Sequence, residues 1–115
     1  RGGAGRCVRT MLTGGAMNNP VDLPDCAALL DQAWRSTLLA RVGEANLKLL
    51  RMDAQPYPAE VHAYAEYLLV LDGELRLEVA GQPVTVGAGE LHRVPAGVPH
   101  AVAPGSKGTL LIFDA

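Results

Sequence analysis

The apolar positions of this chain settle into a period of two along its second half. Leu75, Leu77 and Val79 alternate with Arg76 and Glu78, as in a strand with one face in a core and the other in water. Thr37 to Val42, Asn46 to Met52, Tyr67 to Leu71, Val84 to Val86, Leu91 to Val94, Ala101 to Ala103 and Thr109 to Phe113 are further short apolar runs set among Gly and Pro, and each predicts a strand. Gly43-Glu44 predicts the turn between the first two. Asp72-Gly73 predicts a hairpin between the runs ending at Leu71 and beginning at Leu75. Ahead of these strands Pro24 suits a first helical position and Asp22 or Asp25 an N-cap or first turn. Ala27 to Trp34, with Leu29, Leu30, Ala33 and Trp34 on one side, completes one short helix. Many short strands with turns between them, and no internal repeat, point to an antiparallel sandwich or barrel.

Residues 1–21 follow neither period. Gly2, Gly3, Gly5, Gly14 and Gly15 are interspersed with Arg1, Arg6 and Arg9, so this stretch is expected to be a flexible arm ahead of a single domain over 22–115, or to fold over a partner subunit. A chain of 115 residues suits one core. Lys plus Arg number 10 and Asp plus Glu 12, for a net charge of -2 with no run of like charges, which excludes nucleic acid and anionic membrane as expected partners. The longest apolar runs fall far short of the roughly 20 residues of a spanning helix, and a soluble protein is expected. Cys7 and Cys26 lie outside the strand-rich part with no secretory pattern before them, and both read as free thiols in a reducing, cytoplasmic compartment.

Two segments carry the chemistry. Glu60-x-His62-x3-Glu66-x6-Gly73 and Gly89-x5-Pro95-x-Gly97-x2-His100 put two imidazoles and two carboxylates on short strands that end in Gly or Pro turns. Residues two apart on an extended strand project from one face, so Glu60 and His62 can converge. Glu66 joins them after a short bend, and the Pro95-x-Gly97 turn redirects the chain to bring in His100. Imidazole with carboxylate suits Mn, Fe, Ni, Co or Zn better than Ca or Mg, so a divalent transition metal is the expected cofactor. Glu66 adjoins the apolar run from Tyr67, where an unpaired buried carboxylate would be costly. Each of these four has a plainer alternative as a rim or backbone-bonded side chain.

These two blocks resemble the two motifs of the cupin superfamily, G-x5-H-x-H-x3,4-E-x6-G and G-x5-P-x-G-x2-H-x3-N, over about residues 37–115. Within it the chain looks like the small single-domain cupin 2 conserved barrel proteins, often labelled mannose-6-phosphate isomerase-like, which share the run from Asn46 to Arg51 and the closing Leu110 to Phe113. The resemblance implies an all-β double-stranded β-helix, a jelly-roll barrel, with the short helix N-terminal to it. It carries the metal-ligand role onto Glu60, His62, Glu66 and His100. Glu60 stands where the motif has its first His, and Ala103-Pro104 where it has Asn. Two carboxylates with two neutral imidazoles carry a charge of -2, which balances a divalent ion.

What the resemblance implies for function is a metal-dependent enzyme of isomerase, dioxygenase or decarboxylase type acting on a small polar metabolite. A metal-containing binding or sensing module and a metal-free structural dimer are the alternatives. An enzyme needs a proton-handling residue besides the ligands. Tyr64 and His92 are the expected catalytic residues, with Arg93 a further candidate. A small-molecule ligand and a homodimer are the expected partners, the second because Leu69 and Leu71, out of phase with Glu66, need cover from the helix or from another subunit.

Overall fold

The alternation that ends at Val79 is the second half of one long strand. In the computed structural model, which describes residues 20–115, α1 (Leu23–Ala28) precedes eight strands: β1 (Thr37–Val42), β2 (Ala45–Met52), β3 (Tyr57–Glu60), β4 (Glu66–Val79), β5 (Gln82–Gly87), β6 (Leu91–Val94), β7 (His100–Val102) and β8 (Lys107–Asp114). All pairings are antiparallel. The sheet runs β1-β2-β8-β4-β7-β3, with β5 and β6 also on β4, and it curls into a barrel.

Asp72-Gly73 is therefore no hairpin. Asp72 pairs with Thr109, Gly73 with Gly108 and Glu74 with Lys107, so β4 continues through the pair and the register shifts between Val70 and Asp72. Gly73 (φ +77) and Gly108 (φ +104) let two backbones approach so closely that a Cβ at Gly73 would overlap the Lys107 carbonyl. Such a bulge lets one strand change partners. The first half of β4 lies between β8 and β6, and its second half pairs with β5 and β7. The hairpin that follows β4 is built instead by Ala80 and Gly81, both at positive φ (49° and 81°), between the paired Val79 and Gln82. Gly43-Glu44 does join β1 to β2, with Val42 opposite Ala45.

The helix starts as its sequence indicates, with the Asp25 N–H donating to Asp22 Oδ1 at 2.9 Å and Pro24 in the first turn, but it stops at Ala28. Tertiary bonds take the segment expected to continue it. The Arg51 side chain donates to the carbonyls of Leu30 (3.1 Å) and Asp31 (3.2 Å), and the Trp34 N–H donates to the Arg51 carbonyl at 2.9 Å. Trp34 is left at φ 67, a left-handed conformation.

Both faces of the central strands are apolar. Leu50, Met52, Leu68, Val70, Leu75, Leu77, Val86, Val94, Leu110 and Ile112 fill the barrel. On the other face Leu39, Leu49 and Leu111 pack with Cys26 and Ala27 of α1, and Leu69 and Leu71 pack against this second cluster, so the helix supplies cover for them. Cys26, 1% exposed, is disulfide-bonded, which overturns the free-thiol reading and removes the ground for expecting a reducing, cytoplasmic setting. Cys7 and the arm, apart from Pro20 and Val21, lie outside the described residues. Among those residues no helix is long and apolar enough to cross a membrane.

Gly73→Ala is expected to lower unfolding free energy by about 2–5 kcal/mol, the sum of left-handed strain and overpacking. Gly81→Ala, at φ +81 with nothing within 4 Å of its Cβ position, should lose only ~1–2 kcal/mol. Urea denaturation of both variants checks the difference, and equal losses would contradict a tight β4–β8 crossing.

Candidate metal centre

The polar residues of the first sequence block lie where the chain passes from β3 to β4. Glu60 ends β3, His62 and Tyr64 lie in the connection, and Glu66 opens β4. His100 opens β7 and pairs with Glu60 across the β3–β7 ladder. The second block also holds the first directly, since the Gly97 N–H donates to the His62 carbonyl at 2.8 Å. Gly97 takes φ +77 in that turn.

Glu60, His62 and His100 each present one ligand atom, all within 4.8 Å of one another. His62 Nε2 is 3.3 Å from Glu60 Oε1 and 3.6 Å from Glu66 Oε1, and His100 Nε2 is 3.2 Å from that same Glu66 oxygen. Glu66 thus faces both imidazoles. Glu60 is the most exposed of the four at 43% of its side chain, a lip residue, while His100 is buried at 9%. Glu60 lies on a strand as its spacing to His62 requires, but the bounds of β3 were not read from the sequence because Pro58 interrupts the pattern.

Two details bear on whether these residues suit a metal. His62 Nε2 is buried and has no hydrogen-bond partner among the described residues, the state of a nitrogen whose lone pair is left for an ion. His100 Nδ1 lies 3.0 Å from the Val98 carbonyl, so Nδ1–H donates there and Nε2 is the free acceptor toward the cluster. The donor set of two imidazoles and two carboxylates fits a divalent transition metal.

The cluster opens on a cavity of about 230 Å³ floored by Leu50, Leu68, Leu75, Leu77, Leu110 and Ile112. An apolar cavity of roughly 150 Å³ accommodates a benzene ring, so a single-ring or short-chain ligand fits this volume. Tyr64 lies over the ligand cluster, its ring stacked on His62 at 4.9 Å and 7°. Burial first, and then the nearby Asp114, Glu66 and Glu60 carboxylates, raise the Tyr64 pKa above its usual 10.0 against an opposing effect of Lys48, so the phenol keeps its proton at neutral pH. Trp34 and Tyr57 close another side, their rings 6.3 Å apart, and the Trp34 Nε1–H donates to Asp53 Oδ1 at 2.8 Å.

His92 does not join them. It pairs with Leu68 from β6 and is not among the residues that line the cavity, although its Nε2 is buried with no hydrogen-bond partner among the described residues. Arg93 pairs with Tyr67 and is exposed. Lys48, Asp114 and Trp34 line the cavity and were not singled out from the sequence as site residues. The signal for Lys48 was present: Asn46 and Lys48 share the strand face of Leu50 and Met52, an unusual place for two polar side chains.

The Cupin domain family matches residues 51–115, more than half of the chain's 115 residues. The chain belongs to the cupins. Its fold is similar to that of a cupin-2 domain containing protein from Shewanella frigidimarina, at 24% identity and a TM-score of 0.75 over 86% of this chain and 97% of that one. A cupin superfamily protein from Desulfitobacterium hafniense is similar at 20% identity and a TM-score of 0.69, covering 84% of this cupin and 89% of that chain. Hydroquinone 1,2-dioxygenase from Sphingomonas sp. TTNP3, solved with 4-hydroxybenzoate bound, aligns at 21% identity and a TM-score of 0.74 over 83% of this chain and 31% of its own. No curated protein matches the chain.

Zn²⁺ at a hundred times its Kd should raise the stability of the metal-free cupin by about 2.7 kcal/mol. Glu66→Gln, which keeps shape and removes the charge, should cut Zn²⁺ affinity by at least ~10-fold, read by isothermal titration. An unaltered Kd would remove Glu66 from the site.

Proposed function

We propose that this cupin is a metal-dependent enzyme acting on a small metabolite, with Glu60, His62, Glu66 and His100 holding one divalent transition metal ion at the mouth of the cavity. The observation that carries this reading is the buried Nε2 of His62, which makes no hydrogen bond among the described residues and faces a second imidazole and two carboxylates at the entrance to a cavity large enough for a ligand. When bound, the ion supplies Lewis-acid polarisation of a ligand oxygen, or a site for O2 if it is iron. The rest falls to the chain. The Val98 carbonyl holds His100 in one tautomer, and Gly97 holds the His62 loop against the β6–β7 turn. Tyr64, protonated and stacked on His62, offers a hydrogen-bond donor to a ligand oxygen and is the proton-handling residue of this reading. Trp34 and Tyr57 screen the bound ligand from water.

The dioxygenase neighbour supports the oxidative branch of this chemistry at the level of fold, and an enzyme that binds a hydroxybenzoate is compatible with a cavity sized for one ring. A second reading, a binding module without turnover, is favoured by one observation: with His92 outside the cavity, Tyr64 is the only one of the two expected catalytic residues that reaches the cluster. Pairing with a second copy belongs to the same proposal. It rests on Tyr67 and Leu91, 41% and 59% exposed on the outer face of β4 and β6.

The test incubates the metal-loaded chain with a panel of small hydroxy, keto and phenolic metabolites, recording melting temperature and product by mass spectrometry. The enzyme reading predicts at least one product that requires the metal and is lost in His62→Ala. Stabilisation by a metabolite with no product would establish the binding module, and neither effect would overturn both.

A further inference from the structure

A second polar group stands in the cavity wall beside the His/Glu cluster, and neither the metal ligands nor Tyr64 account for it. On β2 the inward positions include Asn46 and Lys48, followed by Leu50 and Met52 of the core, and across the ladder Asn46 pairs with Asp114 and Lys48 with Ile112. Lys48 Nζ donates to Asp114 Oδ2 at 2.9 Å, and Asn46 Nδ2 to Asp114 Oδ1 at 3.1 Å. Asp114, its side chain 3% exposed, therefore has both oxygens engaged. An ammonium carries three N–H donors. Lys48 spends one on Asp114, makes no other hydrogen bond among the described residues, and lines the cavity with its side chain 29% exposed.

This ammonium lies close to the cluster. Glu66 immediately precedes Tyr67, which pairs with Phe113, and Asp114 immediately follows Phe113. Crossing the wall from Glu66 leads to Asp114 on the next strand and to Lys48 and Asn46 on the one after. Among the described residues Lys48 is the only Lys or Arg that lines the cavity, against the carboxylates Glu60, Glu66 and Asp114. With Glu60 and Glu66 assigned to a divalent ion and Asp114 to Lys48, the empty cavity is formally neutral, and Lys48 retains unused donors beside an apolar floor. Such a group is costly to desolvate unless the ligand supplies an acceptor.

We propose that Lys48 anchors the carboxylate of a small monocarboxylic acid, orienting the rest of that ligand toward Glu60, His62, Glu66 and His100. One cation already sharing its charge with Asp114 suits a carboxylate, whereas a phosphate dianion would want more donors and more positive charge. The volume of about 230 Å³ leaves room for the carboxylate plus one ring or a short chain. Asp114 and Asn46 act as positioning residues, holding the Lys48 stem against the wall. This deepens the proposed function by naming its ligand class, and it rests on the cavity being a ligand site, whichever ion the cluster holds.

Trp34, the chain's one tryptophan, lines the cavity, so its fluorescence reports binding. Acetate, pyruvate and benzoate would each be titrated against the matching neutral amide, with both metal-free and Zn²⁺-loaded protein. At least one carboxylate should bind about tenfold or more tightly than its amide, the margin of a charge-assisted hydrogen bond. Lys48→Met should erase that preference and Lys48→Arg keep most of it, with Zn²⁺ per chain unchanged in both and circular dichroism confirming the fold. If Lys48→Met does not fold, Lys48→Gln takes its place. Absence of any carboxylate preference in the wild type, or a preference that survives the loss of the ammonium, would overturn the proposal. A preference intact in protein that binds no Zn²⁺ would uphold Lys48 while defeating the metal reading.

Discussion

Strand β4 ties the barrel to its chemistry. It is hydrogen-bonded to β5, β6, β7 and β8, and it can serve all four because the Gly73–Gly108 crossing lets its 14 residues bend from one set of partners to the other. Its first residue is Glu66 and its inward side chains continue through Leu68, Leu75 and Leu77 into the cavity floor. The carboxylate that faces both imidazoles is thus fixed to the best-paired strand of the fold. The remaining ligand candidates are brought to it by the β3–β7 pairing of Glu60 with His100 and by the Gly97 contact to His62. A site on such supports can hold its geometry without a ligand present to organise it.

The mouth holds groups that a core built only for stability would avoid. His62 Nε2 is buried among carboxylate oxygens at 3.3 and 3.6 Å without a hydrogen bond to either. Trp34 is kept in a left-handed conformation, worth about 1–3 kcal/mol of strain, by its bonds to Arg51 and Asp53. Lys48 and Asp114 place an ion pair among leucines. These three departures gather around one cavity, next to the apolar clusters of the barrel interior and of the face under α1, whereas the buried Nε2 of His92 is a further one that does not line it. Concentration of such costs in one place is the expected mark of a functional site.

Most of the barrel was legible from spacing alone, since strands half in a core declare themselves by alternation. Thr37–Val42 and Leu91–Val94 agree with the sequence reading to the residue, and the other recognised strands differ mainly at their ends. The misses have local causes. Asp72-Gly73 has the composition of a turn, but the close approach of β8 uses the glycine for a bulge, which is a long-range contact that no local pattern contains. The helix lost its second half because Arg51, some twenty residues downstream, captures the carbonyls of Leu30 and Asp31. At the site, the motif spacing picked out Glu60, His62, Glu66 and His100, which do converge, yet it could not separate Tyr64, in the cavity, from His92, which lies outside it. That distinction depends on how the closed barrel shapes its cavity, which no local pattern contains.

The central claim is that the two imidazoles and two carboxylates form a metal centre, and elemental analysis tests it most directly. Protein purified without chelator, measured by inductively coupled plasma mass spectrometry, should carry about one equivalent of Mn, Fe, Ni, Co or Zn per chain, reduced to background in His62→Ala. A chain that binds none of these ions even after reconstitution would contradict the claim and leave the cluster as a set of hydrogen-bonding rim residues.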